Sequence, residues 1–91
     1  MTKYLVESPH TSEGCLKALD EMLAMGPDVL AQYDFGCMVD VHTGWVILDA
    51  ENEAEALKIV PESLRSEARA IALNKFTPEE IAAYHKEHPD E

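Results

Sequence analysis

Positive charge is scarce in this 91-residue chain: seven Lys and Arg stand against eighteen Asp and Glu, a formal net charge of −11. A surface without clustered Lys and Arg argues against binding a phosphate backbone or an anionic membrane. No apolar run approaches the roughly 20 residues that a spanning helix needs. Met1–Glu7 enters a strand pattern with an acid rather than a secretory leader, so a cytoplasmic location is the expectation. Glycines number four, and none builds a phosphate-cradling loop or a flavin or nicotinamide fingerprint, so no cofactor is expected. Ser8, Ser12, Ser63 and Ser66 lack a nucleophile elbow. The two cysteines, Cys15 and Cys37, allow one disulfide, but a reducing compartment favours free thiols.

What remains is an ordinary globular balance, 46% hydrophobic and 27% charged, in one domain spanning 1–91. Lys3–Ser8 reads as a strand with Tyr4, Val6 and Ser8 on one side, ended by Pro9. Thr11 or Ser12 caps a helix whose apolar positions are Leu16, Leu19 and Leu23, and Gly26 stops it before a short helix Pro27–Gln32. Asn52 and Glu55 start another helix with Ala54, Leu57 and Val60 as its stripe, broken at Pro61. Arg69–Phe76 is the last strand. Thr77-Pro78-Glu79-Glu80 is a strong start for a helix Pro78–His88, and Asp90-Glu91 a frayed tail.

The centre of the chain, Tyr33–Ala50, reads as two strands joined at a Thr43-Gly44 turn. His42 then pairs with Trp45 and Val41 with Val46. Cys37, Val39, Val41, Val46, Leu48 and Ala50 take one face, purely apolar and suited to lie under helices. Met38, Asp40, His42, Trp45, Ile47 and Asp49 take the other, mixed face. A shift of one residue would scramble this sorting.

Strand, helix, strand, strand, helix, strand and a final helix give a ferredoxin-like α+β order, βαββαβ with an antiparallel sheet. The apolar part of the mixed face wants a partner, and a second copy is the simplest one. His42-Thr43-Gly44-Trp45-Val46-Ile47-Leu48-Asp49-Ala50, then Asn52–Leu57, then Lys75–Ile81 resemble the dimeric α+β barrel superfamily over roughly the second half of the chain. That resemblance implies a homodimer with a cavity between two sheets. It leaves the chemistry open, since the superfamily holds monooxygenases, isomerases, decolorising peroxidases, metal-binding proteins and ligand sensors.

Three functions follow as expectations. The first is binding of a small, partly apolar ligand by Met38, Asp40, His42, Trp45 and Ile47, with His10 and Tyr4 as less certain neighbours. The second is cofactor-free catalysis, an isomerase or oxygenase with His42 as base and Asp40 behind it. The third is a soft-metal site for Cu, Zn or Ni from His10, Cys15, Cys37 and His42. Their spacing matches no compact metal motif, and the Thr43-Gly44 register puts Cys37 and His42 on opposite faces, so they are not expected to share an ion. Cys15, beside Leu16 and Leu19, reads as a small buried hydrophobe. His85 and His88, three apart, read as cations at the negative end of a helix, and Glu51, Glu53 and Glu55 as acids at a positive one.

Overall fold

Residues alternate in and out along β1 (Thr2–Pro9): Tyr4, Val6 and Ser8 are buried, while Leu5 and Glu7 on the other side are half-exposed. This period of two fixes the sheet's covered face. The computed structural model describes residues 1–89 and shows an α+β fold. One antiparallel sheet has the strand order β2-β3-β1-β4, with β2 at Asp34–Gly36, β3 at Val41–Ala50 and β4 at Arg69–Ala72. The helices are α1 (Cys15–Ala24), α2 (Pro27–Ala31), α3 (Glu53–Ala56) and α4 (Pro78–Glu87). No helix among the described residues is long and apolar enough to cross a membrane.

The core lies between one sheet face and the helices. Tyr4, Val6, Val46 and Ala50 from the sheet meet Met22 of α1, Ala56 of α3, Tyr33 and Val60. The phenol of Tyr33 donates to the Ile59 carbonyl at 2.8 Å, and burial pushes its pKa up to about 12. The open face carries Leu5, Trp45, Ile47 and Ile71, with Leu5 between Ile47 and Ile71 in the ladder. There Arg69 donates to Glu7 at 2.6 Å, and this bond holds the Glu7 carboxyl below its ordinary range.

Several expectations are corrected. Thr43-Gly44 is not a turn: β3 runs unbroken from Val41 to Ala50, and the reversal lies at Cys37–Asp40. Gly44 is needed for close packing, because a Cβ there would stand 2.9 Å from the Phe35 ring and 3.1 Å from that of Tyr33. With the strand continuous, His42, Gly44, Val46, Leu48 and Ala50 share the covered face. Val41, Trp45, Ile47 and Asp49 share the open one. The imidazole of His42 and the Val46 side chain are therefore on the same side of the sheet, against the expected sorting.

Within α1, Ala18 and Met22 face the core, while Leu16 is 71% exposed. The helix begins two to three residues later than a Thr11 or Ser12 cap requires, with Gly14 at its cap position. β4 ends at Ala72, so Phe76 lies beyond the sheet. α3 is one turn capped by Asn52 and continues as a 3-10 turn, Leu57–Ile59, so Ala56 rather than Ala54 is buried. The α4 start is as expected, a full capping box between Thr77 and Glu80 with Pro78 in the first turn. The tail expected at Asp90-Glu91 lies outside the described residues.

Candidate metal centre

At the end of the sheet where β1 stops, four side chains from separate segments converge. His10 follows β1, and its backbone N–H donates to the His42 carbonyl at 3.0 Å, carrying the β1–β3 pairing one residue past Pro9. The chain then turns at Thr11–Gly14, where the Thr11 hydroxyl accepts from the Gly14 N–H at 3.0 Å. That turn delivers Cys15 as the first residue of α1.

Cys37 arrives from the other side. β2 reaches Gly36, where a bulge interrupts the ladder with β3. A Cβ at Gly36 would lie 2.8 Å from the Val41 carbonyl oxygen, so glycine permits the close crossing there. Cys37–Val39 forms a 3-10 turn, and Asp40 closes it in the left-handed region at φ 65°. Asp tolerates that conformation better than most residues. The turn places Cys37 beside His42, the second residue of β3.

The donor atoms of His10, Cys15, Cys37 and His42 all lie within 4.8 Å of one another. Cys15 Sγ and Cys37 Sγ are 3.4 Å apart, and His10 Nε2 is 3.4 Å from Cys37 Sγ. Both cysteines are free thiols. A tetrahedral zinc with Zn–S near 2.3 Å and Zn–N near 2.0–2.1 Å spaces its ligand atoms roughly 3.3–3.8 Å apart. The two 3.4 Å spacings fall in that range, and the others, none above 4.8 Å, lie within about 1 Å of it.

The ring nitrogens supply a second observation. Nδ1 of His10 and Nδ1 of His42 are buried without a hydrogen-bond partner. His42 Nε2 lies 3.0 Å from Asp40 Oδ1, so Nδ1 is the nitrogen left for an ion. A carboxylate on the far nitrogen of a ligating imidazole fixes the ring and raises its basicity. Burial, then the neighbouring His42, hold the His10 pKa below its ordinary value. Burial, then the Cys15 thiol beside it, push Cys37 up. A cation between the sulfurs would reverse the pressure on Cys37 and favour its thiolate.

The separation of Cys37 from His42 expected from the sequence thus fails, because the turn that produced it is elsewhere. The five residues expected to hold a small ligand are dispersed. Met38 is 98% exposed on the 3-10 turn, His42 belongs to the four-residue cluster with Asp40 against its outer nitrogen, and Trp45 and Ile47 look out from the opposite sheet face. His85 and His88 lie on and just after α4. Glu51 and Glu53 flank the Asn52 cap, and Glu55 accepts from Lys58 at 3.0 Å. All four members of the cluster were visible as a soft donor set. The signal for their meeting is Gly36, whose role in the chain crossing is evident only in three dimensions.

Comparison with protein-family models, with curated proteins and with solved structures finds no match.

Proposed function

We propose that this protein binds one thiophilic transition-metal ion, zinc foremost, through His10, Cys15, Cys37 and His42. The observation that carries the reading is four soft donors from four segments within 4.8 Å, with the buried, unpartnered Nδ1 of His42 beside them. Two thiolates and two imidazoles suit Zn(II) in a tetrahedral site and also suit Cu(I). Four protein ligands close the coordination sphere, so the ion holds structure or is carried rather than activating a water. All four residues are only partly buried, which leaves the ion within reach of exchange.

The strand order β2-β3-β1-β4, with every neighbouring pair antiparallel, supports a ferredoxin-like reading of the fold. The Asp40–His42 contact, which also favoured proton-transfer catalysis, is accounted for here as carboxylate support of a metal ligand.

The test is protein made without a His tag and analysed for metal. One equivalent of zinc or copper is expected, lost in Cys15→Ser and Cys37→Ser. Cobalt added to the metal-free protein should give the intense visible bands of tetrahedral sulfur–nitrogen ligation. Absence of bound metal, together with weak, octahedral-type cobalt spectra, would remove the proposal.

A further inference from the structure

A second feature has no role in the metal centre. The C-terminal arm, Leu73–Glu87, leaves the body and buries none of its α4 residues. The molecule is 50 Å long, with a radius of gyration of 16.7 Å, where a compact chain of this size has about 12 Å. Yet the arm is well specified. It has a capping box at Thr77 and Glu80, Pro78 in its first turn, and an edge-on Phe76–Tyr84 contact with ring centres 5.8 Å apart. A ten-residue helix is marginal in water unless its apolar side is packed. Phe76, Ile81 and Tyr84 remain about half-exposed and line one hollow of the arm.

The sheet presents the matching surface. Its open face carries Leu5, Trp45, Ile47 and Ile71, with Ile47 59% exposed. Ile47 and Leu73 floor a hollow of about 540 Å³ edged by Lys3 and Lys75. The helix that would enter it carries Glu79, Glu80 and Glu87. Apolar meets apolar; Glu79 and Glu87 are available to Lys3 and Lys75, and Lys86 to Asp49 of the same face.

We infer that α4 docks on the open sheet face of a second copy of this chain, which returns its own arm in a twofold exchange. The arm's root favours a second copy over its own sheet. Leu73 N–H donates to the Lys3 carbonyl at 2.8 Å, pinning the chain at the sheet edge. Folding back would have to reverse direction within Asn74–Phe76, directly before the Thr77 cap. Twofold symmetry doubles each contact. Two helices about 15 Å long laid on two sheets bury on the order of 1,000 Å², the threshold for a biological interface and the size of a weak, dilution-sensitive dimer.

The experiment uses the full, metal-loaded chain in sedimentation velocity across a dilution series. Ile47→Glu spoils the sheet surface and Ile81→Glu the arm. Both side chains are exposed, and circular dichroism checks that each variant folds. The wild type should be a dimer and each variant alone a monomer. An equimolar mixture should regain a heterodimer through its one intact arm–sheet contact, dissociating at a concentration at least about tenfold above the wild type's. Three results would overturn the inference: a monomeric wild type, a dimer that survives Ile81→Glu, or a mixture that stays monomeric throughout.

Discussion

Asp40 combines a left-handed backbone with a carboxylate on His42, and two substitutions separate these roles. Asp40→Gly relieves the backbone and removes the carboxylate; Asp40→Asn keeps the shape without the charge. If the carboxylate supports His42 as a ligand, both should weaken metal affinity by about 10–100-fold in a chelator competition, with the fold intact. Equal affinities would confine Asp40 to turn formation. Tyr33 makes a pH prediction. Its phenol is neutral in the fold and ionises near 12, above the ordinary 10. It therefore contributes stability below pH 10 that is lost as pH rises from 10 through 12. Tyr33→Phe should cost about 1 kcal/mol at neutral pH, by leaving the Ile59 carbonyl unpaired. It should also flatten the alkaline loss seen in denaturant titrations.

At the scale of elements, β3 is decided by what packs across it. A turn at Thr43-Gly44 would tolerate most small changes away from a positive φ. A continuous strand under two rings does not. Gly44→Ala should cost about 1–3 kcal/mol by overpacking against Phe35 and Tyr33, measured by urea unfolding. Helix α1 gives the complementary contrast. Met22 is fully buried, so Met22→Ala should cost about 2–5 kcal/mol. Leu16 is largely exposed, so Leu16→Ala should fall within about 0.5 kcal/mol of wild type. Equal losses at the two positions would mean that the helix is rotated from its observed facing.

For the molecule as a whole, an ion would tie the start of α1 to the β2–β3 connection and to the ends of β1 and β3. A domain of 91 residues has a small core, so such a tie is large relative to its stability. With free zinc at about a hundred times Kd, the melting temperature should rise by on the order of 10 °C, and a chelator should reverse the rise. Cys15→Ser should melt at one temperature with or without zinc. Oxidation should act in the opposite direction. With the two sulfurs adjacent, one peroxide takes the electron pair from the Cys15 and Cys37 thiolates and two protons from solvent. It yields a disulfide and two waters, and the ion is released. Metal-indicator absorbance should rise in step with the loss of titratable thiols.

Local chemistry was enough to write much of this fold from the chain alone. The alternation at Tyr4, Val6 and Ser8, the Asn52 cap and the Thr77–Glu80 capping box depend on neighbours a few residues away, and each stands where the sequence puts it. The four metal-type donors were also apparent as residue types. Their convergence was not, because it depends on one glycine's reason for being glycine. Gly44 has the same sequence signature whether it turns the chain or makes room for two rings, and that choice exchanges the faces of Val41 and His42 while Val46, Leu48 and Ala50 stay on the covered side. Only the packing of Tyr33 and Phe35 over Gly44, with the crossing at Gly36, decides that His42 faces Cys37. Contacts between residues distant along the chain are set by the whole core, and no local pattern records them.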